Sequence, residues 1–486
     1  MFVLKYNRVR KVLKFIFGRP ASGKTYQILE KIKQQNAAGR QCVLIVPEQF
    51  SFESERAVLR ALGDKAALGV TVTSFTRLCD EVGRYAGGIA GVTLTDAQKV
   101  IFMNRALRSL ETELTLWRKY CRSVSFAKTM LDTVGEFKIN AVSPENLRAA
   151  AEETESAALK AKLWNTALIY ETYDALVGER FLDPADRLTK LYRQLEDFRY
   201  FEKKDVFIDS FKGFTGQQFA LIDRILAQAD SLTVALTDAP EIKGEFGIFL
   251  NIRVSAEKIH RAAKRYHMAE DKPLILGARG TAAAGIAAVE RLISGGTPEK
   301  TENDGSLTVC AADTAAEEAE FAVRNIRRLV RTEGYRYRDF VMIARDAERY
   351  DDFINAACET YGVPCFSDKR RPLSAFPLAA LADAAIQAII KNDSESILRF
   401  HKTGLGTLNT DEIAKLENYV TLWNIEGDMW QREWIMDVRG FVSDDTEPDE
   451  KALGEINALR RKATAPLEKL RAEFGGTAEN MAAALV

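Results

Sequence analysis

The stretch Phe15-Ile-Phe-Gly18-Arg-Pro-Ala-Ser-Gly23-Lys24-Thr25 limits what this chain can be more than any other. It reads G-x-x-x-x-G-K-T, follows a short apolar run and precedes Tyr26-Gln-Ile-Leu-Glu-Lys-Ile, which has helical spacing. A strand, a glycine turn and a helix N-terminus in that order make a phosphate-binding loop. Gly18 and Gly23 permit backbone angles and a close approach that a Cβ forbids. The N–H groups of Ala21 to Thr25 and the helix dipole then face an anion. In this reading Gly18, Arg19, Pro20, Ala21, Ser22, Gly23, Lys24 and Thr25 hold ATP. Lys24 reaches the β- and γ-phosphates, and Thr25 offers its hydroxyl to Mg²⁺. The alternative, a chance glycine turn before a helix, has to reproduce the whole motif in the right flanking context.

The rest of the composition excludes more than it suggests. A chain of 486 residues with net charge −1 is no polycation, so any DNA contact has to come from local basic and aromatic surfaces. With 47% hydrophobic residues and no long apolar run, the expectation is a soluble cytoplasmic protein without a membrane span. Cys42, Cys79, Cys121, Cys310, Cys358 and Cys365 are scattered, with no C-x-x-C and only three histidines beside them. They read as buried reduced thiols. No hydrolase or metallonuclease motif stands out.

Periodicity then divides the chain. Val43-Leu-Ile-Val46 before Pro47 reads as a buried parallel strand, Phe52 to Leu62 as a helix, and Val70 to Thr73 as another strand. This β-α-β-α-β order after a phosphate loop starts a doubly wound α/β domain. From about residue 92 helical spacing dominates, with Ser143 and Asp183 as helix caps before prolines. Strands return at Val206-Phe-Ile-Asp209 and at Ser231 to Leu236, and 294–306 is the best linker. Beyond it, Leu307 to Ala311, Phe340 to Arg345 and Val363 to Phe366 read as strands of a second α/β unit. The resulting division is 1–91 with 200–293 as a first lobe, 92–199 as a helical insertion, 305–372 as the start of a second lobe, and 373–486 as a second helical insertion. The helical Thr477 to Leu485 is expected to be cut rather than to end naturally.

Several stretches carry a family resemblance. Residues 16–25, Val43-Leu-Ile-Val-Pro-Glu-Gln-Phe50, Thr73-Ser-Phe-Thr-Arg-Leu78 and Ile208-Asp-Ser-Phe-Lys-Gly-Phe-Thr215 are similar to the AddB component of bacterial AddAB-type helicase–nucleases. So are Glu317-Glu-Ala-Glu320, Tyr335-Arg-Tyr-Arg-Asp-Phe340, and His401-Lys-Thr-Gly-Leu405 with Leu416-Glu-Asn-Tyr-Val420. The resemblance runs over nearly the whole chain and keeps motif order. It implies a P-loop NTPase of UvrD-like, superfamily 1 helicase architecture, with two RecA-like lobes and helical insertions. The implied work is processing of DNA double-strand breaks for recombinational repair, as an ATP-dependent helicase/exonuclease subunit in a heterodimer with an AddA partner. Double-stranded ends and single strands are the implied DNA. A nuclease module with an iron–sulfur cluster would lie beyond Val486, so neither is expected here.

Two departures qualify the motor. A working NTPase needs a carboxylate to position and deprotonate the attacking water. Here the strand ends at Asp209, able to hold Mg²⁺ with Thr25, but Ser210 follows where a glutamate would serve as base. No arginine stands clearly where a phosphate-sensing finger is expected; Arg345 reads equally as a surface residue. Binding with slow or absent hydrolysis is therefore expected. For DNA, Phe75 and Arg77 are candidates for base stacking and phosphate pairing, and Phe211, Lys212 and Phe214 form a second aromatic–basic cluster. Phe75 reads equally as core. Arg336, Arg338, Lys369, Arg370 and Arg371 read as a solvated basic face. Two other functions compete: a DNA- and partner-gripping scaffold with a vestigial nucleotide pocket, and a stand-alone P-loop NTPase.

Overall fold

A computed structural model describes residues 11–485 apart from 88–90, 179, 241–246, 278–282, 298–299, 303, 368–372 and 442–448. Lys369, Arg370 and Arg371 of the basic cluster lie outside the described residues. The chain forms two compact units, Met1–Thr308 and Val309–Val486.

The first unit begins β1 (Val12–Gly18), α1 (Lys24–Ala37), β2 (Gln41–Ile45), α2 (Ser51–Leu62), the single turn α3 (Asp64–Ala67), β3 (Val70–Thr73) and α4 (Phe75–Ala86). A helical segment follows: β4 (Val92–Thr93), α5 (Asp96–Ser109), α6 (Val124–Ile139), α7 (Pro144–Glu153), α8 (Ala157–Val177), β5 (Phe181–Leu182) and α9 (Arg187–Asp197). The sheet resumes with β6 (Lys204–Phe211), α10 (Gly216–Gln228), β7 (Ser231–Thr237), α11 (Leu250–Arg265), β8 (Ala269–Glu270), β9 (Leu274–Leu276) and α12 (Ala284–Ile293). All pairings in the main sheet are parallel, in the order β3-β2-β6-β7-β1-β8, with β9 also on β1. This is an α/β fold on a parallel sheet.

The strands are apolar on both faces because both faces are covered. Leu13 and Phe15 of β1 join a core with Leu78 and Val82 of α4, Leu221 and Ile225 of α10, and Ile252 and Ile259 of α11. Ile16, one residue on, points the other way, to Ile28 and Ile32 of α1 and Val58 of α2. Each such side chain contributes about 1.5–3 kcal/mol when removed from water. Consecutive residues of one strand thus bind two helical layers, and the carboxyl ends of β1 and β6 are held between them.

The helical segment has its own core, with Met103, Leu107, Val134, Ala167 and Tyr173. Its helices start where the sequence says they should. Thr95 and Gln98 form a capping box before α5, and Ser143 accepts the Asn146 N–H before α7. Leu191 and Leu195 of α9, expected in the helical insertion, join the sheet core instead. Inside the segment, Lys138 of α6 is 3% exposed and its Nζ lies 2.7 Å from Asp174, 3.4 Å from Asp183 and 2.7 Å from Asp186. The Tyr173 hydroxyl donates to Asp183 at 3.0 Å. One ammonium therefore ties α6 to α8 and to the chain after β5.

The second unit contains α13 (Ala315–Glu333), α14 (Ala347–Tyr361), α15 (Pro377–Lys391), α16 (Ser394–Lys402), α17 (Thr410–Leu422), α18 (Glu450–Glu473) and α19 (Ala478–Ala484). The three strands expected there do not pair. Residues 307–311, 340–345 and 363–366 carry no sheet hydrogen bonding among the described residues. β-Branched runs favour an extended backbone, but a strand needs a partner to become a sheet. Met342 and Val363 pack against α13 and α14, while Val341 and Ile343 face outward, 80% and 88% exposed.

The paired motifs His401–Leu405 and Leu416–Val420 prove to be adjacent. Lys402 reaches Glu417 at 2.6 Å, and Leu416, Tyr419 and Val420 fill the core beneath α16. His401 is fully buried with Nε2 3.1 Å from the Ala463 carbonyl, so its role is packing. Thr403 closes a helix: it follows α16 and its hydroxyl donates to the Phe400 carbonyl. Four thiols are buried as expected, but Cys310 and Cys365 are exposed because they sit in the unpaired extended runs. No described helix is long and apolar enough to cross a membrane.

Candidate functional site

The loop between β1 and α1 is shaped by two features of its sequence. Gly23 has φ 92°, in the left-handed region that glycine enters without strain, and Ala21 also lies there at φ 57°. At Gly18 a Cβ would come within 2.4 Å of the Ser22 hydroxyl, so only glycine lets the loop turn back on itself. Helix α1 then starts at Gly23 with no side-chain cap and no acidic residue in its first turn. A helix start of that kind favours an anion. The Ser22 hydroxyl is 4% exposed and has no hydrogen-bond partner among the described residues.

Lys24 Nζ donates to the carbonyls of Gly18 at 2.8 Å and Arg19 at 2.7 Å. Burial lowers its pKa from the ordinary lysine value, and the Asp209 carboxylate opposes that shift. Thr25 Oγ1, in the first turn of α1, donates to Asp209 Oδ2 of β6 at 2.7 Å. Burial raises the Asp209 pKa, against the hydrogen bonds from Thr25 and the Ser210 N–H and the charge of Lys24. Loop, ammonium, hydroxyl and carboxylate thus converge at the carboxyl ends of two strands separated by β7. That is where open parallel sheets bind ligands.

The arrangement suits a polyphosphate with Mg²⁺. Mg²⁺ keeps several waters and takes one or two protein oxygens together with phosphate oxygens, and Thr25 with Asp209 matches that donor set. Among the described residues no group of three or more His, Cys, Asp or Glu offers a metal site by itself. A base is harder to find. Ser210 is exposed with φ 68°, a conformation that costs a non-glycine residue roughly 1 kcal/mol or more. A hydroxyl there is no proton acceptor at neutral pH. Asp238, just after β7, is buried and held by Arg253 Nη2 at 3.0 Å and Nε at 3.1 Å, while its own N–H donates to the Gly18 carbonyl at 3.2 Å.

The other sequence candidates disperse. Phe75 is 2% exposed in the sheet core, its ring 5.5 Å from Phe211 in an edge-on arrangement, so base stacking by Phe75 is corrected to packing. The signal was present: Phe75, Leu78, Cys79 and Val82 fall on one face of α4. Phe211 and Phe214 are partly buried, 5.2 Å apart, and lean on the same core. Arg77 pairs with Glu55 at 2.8 Å on the surface, and Lys212 is exposed. Asp80 is engaged by Arg187 at 2.5 Å. Sequence reasoning missed Asp238, Arg253 and Glu290, which meets Arg19 at 2.8 Å. No local pattern announces them, because Asp238 and Glu290 contact the loop, and Arg253 holds Asp238, from far along the chain.

Comparison with known proteins agrees with the motif order. The family described as "ADDB, N-terminal" matches residues 15–290. A Clostridium tetani protein whose name makes it one of the subunits of an ATP-dependent helicase/deoxyribonuclease is 30% identical over 476 residues, 94% of this chain and 41% of that relative. Proteins of the same name from Thermoanaerobacter sp. and Acetivibrio thermocellus are 29% and 30% identical over 95% and 96% of this chain. The chain spans about two-fifths of the length of these relatives. With more than half of its residues inside the family match, the chain belongs to the AddB N-terminal family.

Proposed function

We propose that this chain is the ATP-holding, helicase-like part of an AddB-type protein, acting with an AddA-type partner on DNA ends in cytoplasmic double-strand-break repair. The observation that carries the nucleotide reading is the convergence of Lys24, Thr25 and Asp209 behind a glycine loop on a helix N-terminus. The loop N–H groups and Lys24 would hold the phosphates of ATP, and Thr25 with Asp209 would hold Mg²⁺, whose chemistry there would be to neutralise phosphate charge. In the helicase-like architecture proposed, the first unit is the nucleotide-bearing RecA-like lobe. The helical layer α13–α14 with its extended runs is the start of the second. The outward Val341 and Ile343 are the side chains that a two-faced parallel sheet would cover. DNA phosphates are assigned to the exposed Lys212 and to Arg77.

The role is holding rather than fast turnover. Ser210 offers no carboxylate, and Asp238 is committed to Arg253. The same observation favours the scaffold reading, in which the pocket is vestigial and DNA and partner binding is the whole task. Calorimetric titration with ATP separates the two. Binding that tightens when Mg²⁺ is added supports a working site; no ATP binding, even with partner and DNA present, leaves the scaffold. Thr25→Ala is expected to weaken Mg²⁺-dependent ATP binding roughly tenfold, the worth of one hydrogen bond to a charged group, and to leave Mg²⁺-free binding nearly unchanged. Turnover by the isolated chain matching an active helicase would overturn the holding role.

A further inference from the structure

Arg19 lies in the phosphate loop, between the Gly18 carbonyl and its own, both of which accept from Lys24. Its guanidinium is taken by a residue from elsewhere in the first unit: Arg19 Nη1 donates to Glu290 Oε2 at 2.8 Å. The pair is mostly shielded, with side-chain exposures of 14% and 29%. Glu290 sits in the last turn of α12, and its other oxygen accepts from the buried Ser294 hydroxyl at 3.1 Å, just after the helix end. The strand before this helix, β9, runs beside β1 up to the loop itself, pairing Leu276 with Gly18. So β9 and α12 embrace the loop from one side. After them the chain continues through 294–308 toward the second unit.

A carboxylate this close to a phosphate loop is a rival to phosphate. It repels an incoming polyphosphate and occupies a cation that the polyphosphate can use. An equilibrium of this kind shifts by the difference in affinity of the ligand for its two states. We propose that Glu290 is an internal competitor for Arg19. In one arrangement the Arg19–Glu290 pair seats α12 on the loop. In the other, Arg19 turns to the polyphosphate of a nucleoside triphosphate, and α12 is released. This makes α12 the element through which occupancy of the loop is reported along the chain. The inference rests on the nucleotide reading above and adds its regulation.

Titration of ATP with Mg²⁺ into wild type, Glu290→Gln, Arg19→Gln and the double variant tests it. Glu290→Gln keeps a partner for Ser294 but removes the rival charge, and is expected to bind ATP about fivefold tighter, a typical coupling between linked sites. Arg19→Gln is expected to bind more weakly, and in its background Glu290→Gln is expected to tighten binding by clearly less than about fivefold, because only the direct repulsion is then relieved. In wild type, hydrogen exchange across residues 284–297 is expected to speed up when ATP with Mg²⁺ is added. In Glu290→Gln it is expected to be fast without ATP. A merely bracing pair would give the opposite sign: Glu290→Gln would weaken ATP binding, and ATP would leave exchange over 284–297 unchanged or slower. Either result overturns the proposal while leaving nucleotide binding intact. If wild type binds no ATP at all, both readings fall together.

Discussion

Replacing Lys24 by Ala is expected to weaken ATP binding about hundredfold while leaving the fold in place. The ammonium meets phosphate oxygens through charge-assisted hydrogen bonds, and each such bond contributes roughly 1.5–3 kcal/mol. The loop backbone already holds that ammonium in position, through the Gly18 and Arg19 carbonyls. Removing it also leaves the buried Asp209 carboxylate without the positive charge that stabilises it, which pushes the carboxyl pKa further in the direction burial has already moved it. Two losses therefore coincide, one to phosphate and one to the Mg²⁺ side of the site. Calorimetry against ATP with Mg²⁺ reads the affinity, and a thermal melt of the same preparation reads the fold. An affinity within about threefold of wild type, less than the loss of a single charged hydrogen bond, would remove Lys24 from the site.

The second large effect lies in the helical segment. Lys138→Met is expected to destabilise it by about 3–5 kcal/mol, the usual cost of breaking a buried ion pair by deleting one partner. Burial alone would push the Lys138 pKa down; Asp186, Asp174 and Asp183 overcome that and hold it above the ordinary lysine value. A lysine whose folded pKa exceeds its unfolded one contributes stability throughout the range below the unfolded value, about 10.5. That contribution fades only as pH climbs through the folded pKa, so the wild-type share is constant from neutral pH to about 9. The variant behaves differently at the acid end. Without the ammonium, the Asp174 carboxyl loses the charge that opposes its burial, and its pKa moves further up. Acidification then neutralises it, so the gap between variant and wild type is expected to narrow toward pH 5. Urea unfolding at neutral and acidic pH, with hydrogen exchange over α6 and α8, measures both. A variant as stable as wild type at neutral pH would show that the hub carries no net energy.

Local chemistry was the legible part. The glycine loop, the helix behind it, the cap at Ser143 and the strand Val70–Thr73 all follow from residues within a few positions of one another. What failed needed distant information. That β7 comes between β1 and β6 depends on how segments some 200 residues apart pair, which no window reveals. The second unit shows the same limit from the other side: Val341 and Ile343 have the right side chains for a strand but no paired neighbour among the described residues. Phe75, read equally as a stacking residue and as core, is core, and its spacing to Leu78 and Val82 already favoured that. Lys24, Thr25 and Asp209, which the structure brings together, could be singled out as candidates because each ends a recognisable run. Asp238 and Glu290 were not, because an isolated carboxylate has no pattern.

The Thr25–Asp209 hydrogen bond and the two Lys24–carbonyl bonds have a thermodynamic consequence for any ligand. They use the same atoms that phosphate and Mg²⁺ would use, so binding there is a substitution and not an addition. At Lys24, Thr25 and Asp209 each contact made displaces one the chain already makes with itself. Those bonds already have one ionised partner, so the favourable margin is what a second, opposite charge adds to each. Affinity should accordingly be moderate and strongly dependent on Mg²⁺, which gives Thr25 and Asp209 a reason to part. The same feature keeps the loop folded in advance, so little chain ordering is left to oppose binding.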